Sequence, residues 1–156
     1  MSVIKPSYGS NGQAITVTLA SLTTTSARSS AAIDNTSNLY LDALVQVTVK
    51  SGGSGTSGTG YVNVYAYGTA DGGTSYPDGA GTDTGVTLKQ AKLIGTISVT
   101  ANSTVYVSEP MSVAAAFGGI LPDHWGIIIE NQSGGTLDST EGNHKKVYQG
   151  IQGQVV

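Results

Sequence analysis

Apolar residues recur at every second position along much of this chain, and this alternation restricts the fold more than any other feature. It is strongest over residues 39–50. The residues that share one parity there are Leu39, Leu41, Val45, Val47 and Val49. Successive side chains of a β-strand point to opposite faces, so this pattern predicts a strand with one buried face.

The same reasoning predicts strands along most of the remaining chain. Residues 14–19 and 60–69 also alternate, whereas residues 125–131 hold an unbroken apolar run that indicates a strand covered on both faces. Residues 92–100 and 104–113 are predicted to form a hairpin, because only three residues separate them. Residues 145–155 supply the last strand, and no stretch predicts a helix longer than one turn at residues 113–117.

About seven or eight strands joined by Gly-, Ser- and Thr-rich loops predict an all-β fold. We expect a β-sandwich, with a jelly roll or a related Greek key as its topology. A chain of 156 residues fits one domain. We assign residues 14–156 to that single β-sandwich domain and residues 1–13 to an extended N-terminal arm.

Composition excludes several functional classes. The formal net charge is −3 and the seven Lys and Arg residues are scattered, which argues against nucleic-acid binding. The chain has no cysteine, so neither a disulfide framework nor a thiolate metal site is expected. No segment approaches the roughly 18 consecutive apolar residues of a membrane span, and residues 1–11 do not resemble a signal peptide.

Catalytic groups are sparse. His124 and His144 are the only histidines, and no Gly-x-Ser-x-Gly elbow accompanies them. Glu109 and Glu130 fall on predicted strands and could act as a carboxylate pair, with a raised pKa at Glu130. The simpler interpretation is a histidine satisfied by backbone groups and two carboxylates at strand ends, so we expect no enzymatic activity and no cofactor.

One loop is rich in oxygen ligands. Asp71, Asp78 and Asp83 lie within a Gly-rich segment, and such loops can bind Ca²⁺. Their spacing does not match an EF-hand, and Asp and Gly also form ordinary turns. We therefore predict no metal site and leave calcium at residues 71–83 as an alternative.

Tyrosines are the most distinctive candidate contact residues. Tyr61, Tyr65 and Tyr67 share one face of a predicted strand, and Tyr76 follows in the next loop. Tyrosine buries a large area at low entropic cost, which suits subunit contacts, and it can also stack on sugars or fill a core. The residues predicted for an interface are Ile4, Tyr8, Tyr65, Tyr67, Tyr76 and Tyr148.

Three stretches, at residues 33–45, 60–68 and 122–134, resemble small structural proteins of tailed bacteriophages. They read IDNTSNLYLDALV, GYVNVYAYG and PDHWGIIIENQSG. The resemblance implies a virion component assembled in the host cytoplasm, either a capsid decoration (cement) protein or a neck, tail or fibre part. Decoration proteins generally bind the outer shell, often as trimers, so it also implies the major capsid protein or another virion protein as partner and a homo-oligomer, with a trimer favoured.

Three hypotheses remain open at this stage. A decoration protein predicts that residues 1–13 or 148–155 contact another chain. A tail or fibre adhesin predicts that Tyr65, Tyr67 and Tyr76 line an exposed groove that binds a glycan. A hydrolase requires Glu130 or His124 in a pocket with a strongly perturbed pKa.

Overall fold

A computed structural model describes residues 2–156, which form two antiparallel sheets packed face to face. The strands are β1 (Ile4–Tyr8), β2 (Gln13–Ala14), β3 (Ala27–Ser29), β4 (Ile33–Asp34), β5 (Asp42–Lys50), β6 (Tyr61–Thr69), β7 (Thr84–Val86), β8 (Lys92–Ser98), β9 (Val105–Val107), β10 (Met111–Ser112), β11 (His124–Gln132) and β12 (Lys145–Val155). Short 3-10 turns span Pro77–Gly79, Ala114–Phe117 and Glu141–Asn143.

The first sheet has the order β1-β12-β5-β10, with β2 also on β12 and β9 also on β5. The second sheet has the order β7-β3-β11-β6-β8, with β4 also on β11. These sheets confirm the prediction of an all-β sandwich. The jelly-roll topology stays a prediction.

The core lies between the inward faces of the two sheets. Trp125, Ile127 and Ile129 of β11 are fully buried there. They face alternate residues of β5, of which Val45 and Val47 are also fully buried. The indole of Trp125 packs edge-on against Tyr148 of β12, with ring centroids 5.2 Å apart. Burial of these alternating side chains is the main force that joins the sheets.

Strand β11 is covered on both faces, as its unbroken apolar run predicted. Its outward residue Ile128 is fully buried although it lies outside the central core cluster. The neighbouring outward residue, Tyr67 of β6, is covered by Tyr76, whose ring stands edge-on at 5.6 Å. The long loop between β6 and β7 therefore covers part of the outer face of the second sheet.

The predicted hairpin over residues 92–113 is wrong. Strand β8 pairs with β6 in the second sheet, whereas β9 pairs with β5 in the first, so residues 101–103 cross between sheets. The hydroxyl of Tyr106 accepts hydrogen bonds from the backbone N–H groups of Thr100 and Ala101 and so stabilises this crossing. Alternation specifies which face is buried but not which strand is the neighbour.

Two further expectations need correction. Leu39 and Leu41 do not join the core face of β5, because that strand begins at Asp42 and both side chains are more than half exposed. Leu39 has a positive φ of 51°, and the Asn35 side chain bonds both backbone groups of Tyr40, which fixes a turn there. Residues 14–19 do bury alternate side chains, but only Gln13–Ala14 forms a strand.

The predicted N-terminal arm is extended, and it pairs with its own chain. Both β1 and β2 form antiparallel ladders with β12. Met1, which the prediction included in the arm, lies outside the described residues.

Candidate interface formed by the terminal strands

Strands β1 and β12 extend beyond the sandwich as a two-stranded ribbon. The pairing of β12 with β5 stops at Ile151 opposite Asp42, whereas its pairing with β1 continues from Ile151 to Val155. Hydrogen bonds between Val3 and Val156, at 3.0 and 2.9 Å, close its far end. We call residues 3–9 and 150–156 the terminal ribbon.

The register makes the terminal ribbon amphipathic. Directly opposite residues of an antiparallel pair share a face. The pairs Ile4–Val155, Pro6–Gly153 and Tyr8–Ile151 place apolar residues on one face. The intervening pairs Lys5–Gln154 and Ser7–Gln152 place polar residues on the other face, which ends in the apolar pair Val3–Val156. We call Ile4, Pro6, Tyr8, Ile151, Gly153 and Val155 the apolar face of the terminal ribbon.

This apolar face is largely open to solvent. The exposed fractions are 74% for Ile4, 66% for Tyr8 and 67% for Val155. Single exposed apolar residues are ordinary, but a contiguous apolar face with a polar reverse side is typical of an interaction surface.

The apolar face continues onto the outer surface of the first sheet. There a shallow groove of about 330 Å³ includes Leu44, Pro110 and Val147 among its lining residues. Strand β9 pairs with β5 on the side away from β12, and its residues Val105 and Val107 are more than half exposed on the same outer surface. Apolar side chains therefore occur on this surface beyond the terminal ribbon, interspersed with polar ones such as Gln46 and Gln149.

The base of the terminal ribbon is fixed by close packing at two glycines. The N–H of Gly9 donates to the carbonyl of Gly150 at 2.8 Å. The ring of Tyr40 lies against both glycines, where a Cβ atom on either would collide with it. The ribbon therefore leaves the sandwich in a defined direction.

The predicted interface residues fall into three groups. Ile4 and Tyr8 lie on the apolar face of the terminal ribbon. Tyr67 and Tyr148 are buried within the domain, at 1% and 8% exposure, so neither presents its ring to a partner of the folded chain. Burial raises the pKa of Tyr67 to about 12, and its hydroxyl donates to the carbonyl of Ser30 at 2.7 Å.

Tyr65 and Tyr76 are half-buried and do not complete an aromatic groove. Tyr65 donates its hydroxyl proton to Glu130 at 2.9 Å, and Tyr76 covers Tyr67. A broad groove of about 950 Å³ does lie on the outer face of the second sheet. Its lining residues are Thr25, Ser26, Ala27, Asp78, Gly79, Gly85, Val86, Thr87, Leu88, Lys89, Gln90 and Glu130. The expectation that Tyr65, Tyr67 and Tyr76 line a groove is therefore wrong.

Glu109 and Glu130 lie in different parts of the fold and do not share a strand or a sheet. Glu109 is exposed in the connection between β9 and β10, not on a strand, whereas Glu130 is on the outer face of β11. Burial raises the pKa of Glu130, but hydrogen bonds from Asn63, Gln132 and Tyr65 outweigh it and leave the pKa below its usual value. The raised pKa that a general acid needs is absent at this carboxyl.

Both histidines lack a partner hydroxyl within residues 2–156. The buried ring of His144 has Nε2 3.0 Å from the carbonyl of Asp138, and its Nδ1 accepts from the N–H of Lys50 at 3.3 Å. At His124, Nδ1 is buried without a hydrogen bond, 3.5 Å from Asp123. No Ser or Thr hydroxyl bonds either ring, so neither histidine activates a nucleophile in this arrangement.

The three loop aspartates accept hydrogen bonds from three separate sets of residues. Asp71 accepts from Thr69, Thr74 and Ser75, and these bonds lower its pKa to about 2. Asp78 accepts from the backbone N–H groups of residues 89–91. Asp83 accepts from Thr18 and from Arg28 at 2.5 Å. Within residues 2–156, no group of three or more His, Asp or Glu side chains is placed to hold a metal ion.

Sequence reasoning predicted contact with another chain through the arm, including Ile4 and Tyr8, or through residues 148–155, but not that the two segments form one face. The signal was present, since residues 4, 6 and 8 and residues 151, 153 and 155 are all apolar or glycine while residues 5, 7, 152 and 154 between them are polar. Only the register shows that the two sets share one face.

The comparisons with known proteins add no family assignment. No protein-family model matches the chain, and the search of curated proteins returns no match. None of the helical segments described over residues 2–156 is long and apolar enough to span a membrane.

Proposed function

We propose that this chain is a non-enzymatic structural module of a bacteriophage particle that docks onto other virion proteins through the apolar face of the terminal ribbon. The observation that carries the proposal is the set of exposed apolar side chains that share one face of the ribbon and are held outside the sandwich, with the polar pairs Lys5–Gln154 and Ser7–Gln152 on the other face.

The energetics of the ribbon favour a protein partner. A two-stranded antiparallel ribbon alone is marginally stable in water, and this one also exposes Ile4, Tyr8 and Val155. Burial of such side chains is worth about 25 cal/mol for each Å² of apolar surface removed from water. A flat, extended surface of this kind suits another protein, whereas small ligands usually occupy concave sites.

The resemblance to tailed-bacteriophage structural proteins supplies the biological setting of the proposal. A capsid decoration protein must bind neighbouring shell proteins by buried area and needs no reacting group. The sparse charge of the chain, 11% of residues, agrees with contacts made by apolar and neutral polar groups. We therefore propose the major capsid protein as partner and the outer shell as location, with a neck, tail or fibre position as the alternative within the same particle.

Co-sedimentation with undecorated capsids tests this function. The wild-type chain should pellet with shells of the phage that encodes it. Tyr8→Asp places a charge on the apolar face and should reduce capsid-bound protein at least tenfold. Ser7→Asp places the same charge at the adjacent residue, on the polar face of the ribbon. This variant should bind capsids as the wild type does.

Two results would contradict the proposal. One is failure of the wild-type chain to bind shells of its own phage. The other is equal binding by the Tyr8→Asp and Ser7→Asp variants, provided that both unfold at the wild-type temperature.

A further inference from the structure

The two edges of the terminal ribbon differ in how well they are protected against strand pairing. In an antiparallel ladder, the backbone groups of successive residues point alternately toward and away from the partner strand. The bonds of Val3 with Val156 and of Gly9 with Gly150 fix which residues of β1 and β12 face each other. The remaining residues point their N–H and C=O groups to the outer edges.

The outer edge of β1 is blocked. Ile4, Pro6 and Tyr8 point their backbone groups outward there, and Pro6 has no N–H to donate. The adjacent Lys5 adds a charge. Proline and lysine are the devices that natural edge strands use against pairing with other chains.

The outer edge of β12 carries no such protection. The N–H of Leu41 donates to the carbonyl of Ile151 at 2.7 Å, so residues of this parity face the β5 side. Beyond Ile151, strand β5 has ended, and the next residues of that parity are Gly153 and Val155. Their backbone groups have no hydrogen-bond partner within residues 2–156, and residues 147–156 contain neither a charged side chain nor proline.

The surroundings of this open edge are also apolar. Leu41 is 54% exposed at the point where β5 begins, beside the open edge of β12. Ile120 is 70% exposed, and it is held close to Leu41 because the N–H of Leu121 donates to the Leu41 carbonyl at 3.0 Å. A strand added along β12 would reach these side chains at its end.

We propose that the open edge of β12 pairs antiparallel with the same edge of a second copy of this chain, about a two-fold axis at Gln154. That axis places Gly153 of each copy opposite Val155 of the other copy. Both residues of each pair have outward N–H and C=O groups, so every donor meets an acceptor. A two-fold contact of this kind is self-complementary, and residues 147–156 bring no charged side chain to it.

The second copy also extends the apolar face. Opposite residues of the new pair share a face, so the paired ribbons form four strands whose apolar faces lie on one side. The inference deepens the proposed function and rests on it, because the dimer presents the docking face twice. A two-fold dimer departs from the trimer that the resemblance implies.

Sedimentation equilibrium of the purified full chain tests the dimer without capsids. The wild-type chain should reach twice its mass of 15.8 kDa as concentration rises. Val155→Pro removes an outward N–H while keeping the ladder to β1, and should remain monomeric over the same range. Val155→Ala keeps that N–H and should still dimerise, with a dimer dissociation constant raised by at most about tenfold.

The outcomes separate this inference from the docking proposal. A wild-type monomer at all concentrations, a mass of three chains, or a dimer that persists in Val155→Pro would overturn β12 pairing. Tyr8→Asp should dimerise normally while losing capsid binding. A Tyr8→Asp protein that dimerises and still binds capsids would instead reject the docking face and leave β12 pairing standing.

Discussion

At the scale of single residues, close backbone approaches depend on glycine at particular positions. Gly60 is buried where three segments meet. A Cβ atom there would lie 2.6 Å from the carbonyl oxygen of Val99 and 2.8 Å from the Cα of Ser133. These are backbone atoms, which cannot rotate away as a side chain can. Gly58, two residues earlier in the same loop, has open space at its Cβ position.

Gly60→Ala should therefore lower the free energy of unfolding by about 1–3 kcal/mol, since the extra methyl group forces backbone shifts. Gly58→Ala is the matched control and should change it by no more than about 0.5 kcal/mol. Urea unfolding followed by tryptophan fluorescence measures both values, because Trp125 is the only tryptophan. Equal values for the two variants would refute the close approach at Gly60.

Asp138 illustrates how acid should weaken this fold. Its carboxylate accepts from Asn143 at 2.8 Å and from the N–H of Thr140 at 3.0 Å, and it lies 3.3 Å from the ammonium of Lys50. Bonds from Asn143 and Thr140, together with Lys50, lower its pKa from 3.8 to about 2.

Because the folded chain holds this proton more weakly than the unfolded chain, Asp138 stabilises the fold above pH 3.8. That contribution should be lost as pH falls from 3.8 toward 2. Asp138→Asn should be less stable at neutral pH and should show a shallower decline over the same interval. Thermal unfolding at a series of pH values measures this difference, and parallel curves for the two proteins would contradict it.

At the scale of elements, the terminal ribbon should be separable from the sandwich. The N–H of Lys5 points toward β12, whereas the N–H of Ile4 points to the outer edge. A proline at residue 5 therefore breaks the ladder, while a proline at residue 4 does not.

Lys5→Pro should detach β1, and hydrogen exchange should then show lost protection of the Gln154 and Val156 amides. Ile4→Pro should preserve that protection. Neither substitution should change the free energy of global unfolding by more than about 0.5 kcal/mol, because the ribbon buries little surface. A cooperative loss of the whole sandwich in Lys5→Pro would show that the ribbon belongs to the core.

The elements also show what the sequence could predict. The alternation identified β5 and β6 and the buried face of β6, the unbroken apolar run identified β11, and residues 145–155 were predicted as the strand that is β12. The partners of β8 and β9 could not be predicted, because pairing depends on contacts between distant segments. The prediction that Leu39 lies on the core face of β5 was wrong for a different reason. The side chain of Asn35 bonds the backbone of Tyr40, and the turn that results ends the alternation before β5 begins.

The candidate site was predictable only in part. Ile4 and Tyr8 were predicted as interface residues because an extended arm suits contact with another chain, and that prediction is compatible with their exposure. Tyr67 and Tyr148 were misplaced because tyrosine fills cores as readily as interfaces, and the loop that covers Tyr67 has no periodic signal. Val155 was predicted only as part of residues 148–155, because its position opposite Ile4 follows from the register of β1 with β12.

At the scale of the whole molecule, the chain combines a well-packed sandwich with a ribbon whose apolar side chains remain exposed to solvent. The two histidines, Glu130 and the loop aspartates are occupied by local hydrogen bonds or lack a reactive partner. Five of the exposed large apolar side chains lie instead on the terminal ribbon: Val3, Ile4, Tyr8, Val155 and Val156. We infer that this surface, and not a pocket, carries the function.

An electron-microscopy map of the phage particle, at a resolution that shows side chains, tests this account most directly. We expect copies of the chain on the outer shell, with Ile4, Tyr8 and Val155 buried against a neighbouring protein subunit. Copies whose terminal ribbon stands in solvent while another surface makes the contact, or a particle without the chain, would contradict it.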